Sequence, residues 1–410
     1  MSSANQPPLS AAPGFLYGRV TTIDGATFEG RLRFGRDQEA FWGDYFNGRK
    51  TRNPWAAYVP AERLPKERRR AHHFLGFWFG PMQVRTAPLD RLLMARFGDI
   101  ARVQASARVV QVTLKSGTVF DLPRSEASDF DDGVRVWMGT GGVVDLDSLR
   151  IRTIEFLPTA SLAGAPTRLH ATVRTAHGEF TGFIQWDRQE CTGSDTLYTR
   201  NASGRLELPF DTVRSIARRS SGGALVTLTD GREIAVWKTQ RGDGNHGVYV
   251  DDRRYGRVLV PWEAFVRLDF SPADSGPAYG DFPPGRRLAG SVTTRDGRRL
   301  AGRLVYDLDE SETSETLDAP SEGVDYTIPF GLVASIVLPA GGAGADQRAD
   351  VTLQSGEELH LKREGDLGAR NGGMLIFAAD KQHPEYVPWS DVARIELDRP
   401  PAMFPPLGDR

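Results

Sequence analysis

Cysteine is nearly missing from this chain: Cys191 stands alone among 410 residues. No internal disulfide can form, and there is no CxxC or Cys/His cluster for a structural zinc. No cationic neighbour or general base adjoins Cys191 in sequence, which makes it an ordinary loop thiol. Long apolar runs are missing as well; no stretch reaches the roughly 18 residues needed to cross a bilayer as a helix. Neither charge sign is in excess, with 51 Lys and Arg against 53 Asp and Glu and a formal net charge of −2. A global attraction to nucleic acid or anionic lipid is thereby excluded, and partners must be argued from local patches. The opening MSSANQPPLSAAPG has neither the basic start nor the apolar segment of a signal peptide. It reads as a Pro-rich tail over 1–14, and leaves open a cytoplasmic protein or the mature form of an exported one.

Chemical motifs are also lacking. There is no GxSxG elbow, no GxxxxGK[ST] phosphate loop, no HExxH and no dinucleotide fingerprint. The glycines of GTGG at 139–142 follow a strand with no helix behind them, and adjacent His72 and His73 would point apart on a strand. Nothing asks for a metal or cofactor, and nothing supports catalysis.

What is present is repetition. TTIDGATFEG (21–30), VRTAHGEFTG (173–182) and TTRDGRRLAG (293–302) are variants of one hairpin, and VTLKSG (112–117), VTLTDG (226–231) and VTLQSG (351–356) are variants of a second. Alternating apolar residues that stop at Asp-Gly or Ser-Gly describe a strand entering a tight turn. Turn geometry then explains Asp24 and Asp296 without a catalytic role, particularly since His177-Gly178 replaces the pair in the middle copy. First halves close on PLDRLLMARF (88–97), LPFDTVRSIARR (208–219) and IPFGLVASIVLP (328–339). Second halves close on VDLDSLRIRTIEF (144–156), VPWEAFVRLDF (260–270) and VPWSDVARIEL (387–397). Each closure suits one helical turn leading into a strand. No segment keeps a helical period beyond a turn or two, so the fold class is all-β.

These features predict three tandem repeats over 15–158, 159–272 and 273–400, with a tail at 401–410. Pro- and Gly-containing linkers at 157–168 and 271–287 separate them. Each repeat would consist of two small barrel-like halves; a six-bladed propeller or β-sandwiches are the alternatives. GRVTTIDGATFEGRLRF, HATVRTAHGEFTGFIQW and GSVTTRDGRRLAGRLVY, with the IPF and VPW closures, resemble the small five-stranded barrels of the SH3-like, Sm-like and PRC-barrel groups. That likeness is one of shape, covering residues 15–400 in six pieces, and implies a binding module.

Three candidate features follow. First, a Glu is followed five residues later by an acid in each repeat: Glu39 and Asp44, Glu190 and Asp195, Glu310 and Glu315. A solvated hairpin tip is the preferred reading of such pairs, and a cation or saccharide contact the alternative. Second, Trp262 and Trp389 replace Leu146, and Trp186 replaces Phe34 and Tyr306, substitutions that point to core packing. Third, Gly25 and Gly117 are 92 residues apart, against 53 and 59 for the later intervals Gly178–Gly231 and Gly297–Gly356. Repeat one therefore holds an insertion of about 35 to 40 residues, placed at about 44–85 by the spacing of these turns. It contains Arg68, Arg69 and Arg70 beside Trp55, Tyr58 and Trp78, the residue types that dominate recognition surfaces. The expected protein is a non-enzymatic binding or scaffold protein contacting a protein partner or acidic ligand through this insertion. Single-stranded nucleic acid binding, an envelope or secreted saccharide-binding accessory, and a hydrolase whose site is assembled across repeats are the rival functions. The pattern leaves the oligomeric state open.

Overall fold

The VTL segments become strands Val109–Leu114, Gly223–Leu228 and Arg348–Leu353, and in each of them alternate residues are buried. A period of two with one apolar face is what a half-buried strand requires. In the computed structural model the described residues are 13–35, 37–62, 66–74, 77–86, 91–139, 141–160, 166–237, 246–273, 276–340 and 347–399, with 66–74 and 77–86 described as backbone. Among them the chain is all-β: antiparallel strands joined by turns and short 3-10 segments, with one four-residue α-helix at Ser128–Asp131.

One strand order occurs three times. In residues 17–156, unit one, it runs Val143–Leu146, Val134–Met138, Thr27–Phe34, Tyr17–Thr22, Ile151–Phe156, Ile100–Ala105, Val109–Leu114, Val119–Pro123. Unit two keeps this order around Phe265–Phe270, and unit three keeps it around Val392–Leu397. Register shifts also recur at matching places, at Thr21/Thr22, Arg174/Thr175 and Thr293/Thr294 on one side of the central strand. On the other side they fall at Ile100/Arg102, Val213/Ser215 and Val333/Ser335.

This order corrects the expected barrel-like halves. The strand closing each first half pairs with the strand closing the second: Ile336 faces Ile395, and Ile216 faces Leu268. The halves interleave in one open sheet, and none of the sheets closes into a barrel or divides into four-stranded propeller blades. The 3-10 turns at Phe210–Thr212, Phe330–Leu332 and Trp389–Asp391 are the elements that steer the closing strands into the centre.

Each unit carries a third hairpin: Tyr45–Lys50 with Arg91–Arg96, Thr196–Asn201 with Gly204–Pro209, which continues unit two's own sheet through Arg200 opposite Trp237, and Thr316–Ser321 with Val324–Pro329. The last of these adds to the edge of unit two, Val258 opposite Tyr326, so units two and three share a twelve-stranded sheet. Their side chains also share one core, which holds Trp186, Trp262, Tyr306 and Trp389, all buried as the substitution pattern requires. Unit one has its own core around Phe34, Phe97 and Phe156, joined by Phe183 and Phe282 from the later units.

The turns show where the repeats differ. Gly25 and Gly297 have φ of 87° and end turns in which Thr22 and Thr294 bond to the residue four positions on. In unit two Thr175 bonds to Gly178 itself, so the turn is one residue shorter and Gly178 has no positive φ. His177 for Asp is the sequence trace of that shortening. The Thr22 and Thr294 hydroxyls donate to Asp24 and Asp296, which fixes these carboxylates as turn residues.

Candidate functional site at the seam of units one and three

The three loops carrying the paired acids place them differently from the sequence expectation. Each loop starts with a narrow bridge: Phe34 to Gln38, Trp186 to Glu190, Tyr306 to Glu310. Gln38, not Glu39, is therefore the counterpart of Glu190 and Glu310; unit one has one extra residue before its acid, and the shared spacing of five is a coincidence. The second acid is a cap. Asp44 accepts the N–H groups of Glu39 and Ala40, each at 2.8 Å, Asp195 those of Cys191 and Thr192, and Glu315 those of Ser311 and Glu312. A buried backbone donor left unpaired is costly, which explains an acid at the same place in all three loops. Glu39 is buried against Arg31 and Arg33. Asp44 is buried at the boundary with unit two, where Gln185 and Arg257 reach it. Glu39, Asp44 and Glu315 are buried and so are not solvated tips, while Glu190, Asp195 and Glu310 are partly exposed. Cys191 is buried, and burial pushes its thiol well above the usual range.

Boundary contacts also account for one glycine. Gly43 has φ of 102°, and a Cβ there would stand 2.0 Å from the Asp251 carboxylate. Neither strain nor space admits another residue.

Unit three's loop makes the unusual contact. Asp307 and Leu308 both have left-handed backbone, φ 48° and 57°, a conformation non-glycine residues adopt at a cost. The turn aims both residues at unit one. The Leu308 carbonyl accepts Asn53 Nδ2 at 2.8 Å, while its side chain packs with Val59, Val305 and Leu375. The Asp307 carboxylate meets Arg91 at 3.1 Å and accepts the Gly372 N–H. Lys50 reaches Asp309 at 2.7 Å and Glu315 at 3.6 Å. Lys50 and Arg91 are paired across the third hairpin of unit one, so this hairpin delivers both cations together.

Between the two units lies a cavity of about 370 Å³ lined by Lys50, Arg91, Leu93, Met94 and six acids: Asp307, Asp309, Glu310, Glu315, Asp318 and Asp366. Burial is the leading force on every one of these carboxyl groups and pushes all six up, Asp307 to about 6 and Asp366 to about 8. For Asp366 the neighbouring Asp318 adds to it. Burial would lower Lys50, but Asp309 and Glu315 outweigh it and raise the group. Glu310 Oε2 and Asp318 Oδ1 are shielded from solvent without a hydrogen-bond partner. Among the described residues no group of His, Cys, Asp and Glu has the arrangement to hold a metal ion. The arrangement gathers six carboxyl groups whose charged forms burial disfavours.

The insertion is the extra chain between Lys50 and Arg91, at the tip of the third hairpin. Its first part is the 3-10 segment Pro54–Tyr58, capped by Asn53 Oδ1 on the Trp55 N–H at 2.9 Å. Trp55 and Tyr58 stand edge-on to Phe377 of unit three, at 5.9 and 5.7 Å between ring centres. The Arg303 guanidinium lies 3.8 Å from the Phe377 ring centre and 5.5 Å from that of Trp55. Trp55 is half-buried and Tyr58 exposed, so these two anchor the insertion to unit three. The second part is a hairpin, Lys66–Phe74 with Phe77–Thr86, that among the described residues pairs with no third strand. Arg68, Arg69, Arg70 and Trp78 take their backbone register here, opposite Val84, Gln83, Met82 and His73; their side chains lie outside the described residues.

The sequence reading missed the seam acids as a group, because Asp307, Asp318 and Asp366 come from a turn, a strand and a separate 3-10 segment. One signal was present: DLDESETSETLD is far denser in acids than RDQEAFWGD or DRQECTGSD. No family model, curated protein or solved structure matches the chain. No helix among the described residues is long and apolar enough to cross a membrane.

Proposed function

We propose that this is a non-enzymatic binding or scaffold protein in which three docked β units, copies of one duplicated ancestor, present the basic ribbon of residues 66–86 to an acidic protein partner. The recurrent strand order and matching bulges support the duplication. The observation that carries the binding reading is a two-stranded ribbon that joins no other sheet among the described residues, yet is rooted on unit three through Asn53 and Trp55. Antiparallel pairs are marginal alone, so such a ribbon is an expensive addition to a folded unit. Its sequence KERRRAHHF concentrates cations in a chain with none to spare overall. What the three units share builds the unit; a segment present in one copy requires a separate explanation, and recognition supplies it.

The test compares the full chain with a variant in which residues 63–89 are replaced by a short Gly-Ser turn. Binding of poly-glutamate is measured by fluorescence anisotropy over a salt series. Loss of at least about tenfold in affinity on excision, with a salt-dependent interaction in the parent, is the expected result. Unchanged binding would end this reading. Tighter, ribbon-dependent binding of a single-stranded oligonucleotide, with a steep salt slope, would replace it with nucleic acid recognition.

A further inference from the structure

Six carboxyl groups and two cations meet where unit one docks on unit three, so full ionisation would leave four negative charges uncompensated in a partly closed cavity. The groups come from every element that meets there. Lys50 and Arg91 come from the two strands of the unit-one hairpin, and Asp307, Asp309, Glu310 and Glu315 from the unit-three loop. Asp318 comes from the strand after it and Asp366 from the 3-10 segment Gly365–Leu367. Tyr306 donates its hydroxyl to the Asp366 carbonyl at 2.8 Å, and Asn371 donates to the same oxygen at 2.7 Å. Asp325 adds negative charge behind Asp318. The Asp318 N–H donates to Asp366 Oδ2 at 2.7 Å, so these two acids are held together by the backbone. Their charges cannot separate without breaking it.

We propose that this seam is a proton-controlled latch: unit one stays docked on unit three while the surplus carboxyl groups keep their protons, and the docking loosens when they are stripped at alkaline pH. The two ion pairs, Lys50 with Asp309 and Arg91 with Asp307, use two of the six acids. The other four have no cation opposite except Lys50's longer reach to Glu315, and two of them hold the unpartnered oxygens of Glu310 and Asp318. A proton is the smallest neutraliser such a set can take, and because unit one covers these unit-three acids, undocking would return their charged forms to water. The direction of the four surplus carboxyl groups agrees: burial pushes Glu310, Glu315 and Asp318 up, and Asp366 to about 8. Because the same hairpin carries the insertion, release would free the root of the ribbon. The inference concerns the seam alone and stands whether or not the ribbon binds a partner.

Hydrogen exchange read by mass spectrometry on the full chain, from about pH 6 to about pH 9, tests it. Phe265–Phe270 of the shared core serves as internal reference for the intrinsic pH dependence of exchange. Protection of Tyr45–Lys50 and Arg91–Arg96 relative to that reference should fall by about tenfold or more across the series, the effect of one proton on a seam of this kind. Asp366→Asn, with Asp318→Asn as the independent second variant, should keep the relative protection high at alkaline pH. A ratio that stays flat in the unaltered protein, or one that falls equally in both Asn variants, overturns the latch.

Discussion

The ammonium of Lys50 stands 2.7 Å from the Asp309 carboxylate, and the two residues are more than two hundred and fifty positions apart in the chain. Both are about nine-tenths buried. A pair of this kind contributes little net stability over an apolar contact, but removing one partner leaves a buried charge, at a cost of about 3–5 kcal/mol. Lys50→Met should therefore destabilise the protein, and the penalty should depend on pH. Asp309 and Glu315 have folded-state affinities for protons raised by burial, so in acid they can be neutral and need no cation. The sign follows: a raised carboxyl group favours the folded state at low pH, and that contribution fades as pH rises through its folded value. Thermal denaturation of the Met variant should show a larger loss at about pH 8 than at about pH 5. An equal loss at both would mean that the pair is charged throughout.

The tryptophans of the closing segments give a sharper core prediction. Trp262 and Trp389 are buried, and with Trp186 their indole N–H groups have no hydrogen-bond partner. Truncation to Ala should cost about 3–5 kcal/mol at either site, by lost burial and a cavity. Trp262→Phe removes an unsatisfied donor together with part of the ring, so its cost should stay below about 2 kcal/mol. Denaturant unfolding of the three proteins separates these values.

Much of this core was legible because it repeats. Trp262 and Trp389 against Leu146, and Trp186 against Phe34 and Tyr306, announce positions where size and apolarity matter more than identity. The strand order was not legible. Pairing between the two closing strands of a unit, such as Ile336 with Ile395, is set by long-range packing that leaves no mark in either segment. Counting from Glu39 failed for a local reason, one extra residue in a loop, which only the Phe34 to Gln38 bridge reveals. The seam was hidden because its acids acquire meaning from Lys50 and Arg91, which flank an insertion absent from the other units.

The capping acids should rank by what else they hold. Asp195→Ala strips the acceptor from two backbone donors and should cost about 1–3 kcal/mol. Asp44→Ala strips the acceptor from two backbone donors as well, and in addition takes away the acceptor of Gln185 Nε2 and a partner of the buried Arg257, leaving the latter with Asp251 at 3.2 Å. Its cost should exceed that of Asp195→Ala by about 1 kcal/mol or more. Equal losses would show that neither Gln185 nor Arg257 gains from Asp44.

A stabilising change is available at the tip of the third hairpin of unit three. Ser321 pairs with Val324 across a two-residue turn in which Glu322 has φ of 49° and Gly323 82°. This geometry favours Asn-Gly, and Glu322→Asn should add about 0.5–1 kcal/mol. Glu322 contacts Arg348 and, at 3.5 Å, His177, all three well exposed, so the lost pairs subtract little. A lower midpoint in denaturant for the Asn variant would contradict the turn argument.

Two excisions distinguish the ribbon from its root. Replacing residues 63–89 removes the hairpin that among the described residues pairs with no other strand, while Asn53, Trp55 and Tyr58 keep their contacts with Leu308 and Phe377. The melting temperature should stay within a few degrees of the parent, since the excised strands lend no backbone bonds to any sheet of the three units. Replacing residues 51–90 is equally simple for the chain, because Lys50 and Arg91 already face each other at the end of the hairpin. It also removes the half-buried Trp55, the buried Val59 and the bond from Asn53 to the Leu308 carbonyl. Leu308 would then hold its left-handed backbone at an uncovered surface, and the longer excision should cost at least about 2 kcal/mol more than the shorter. Equal melting of the two variants would show that the insertion is not anchored on unit three, and that the seam is held by its charges alone.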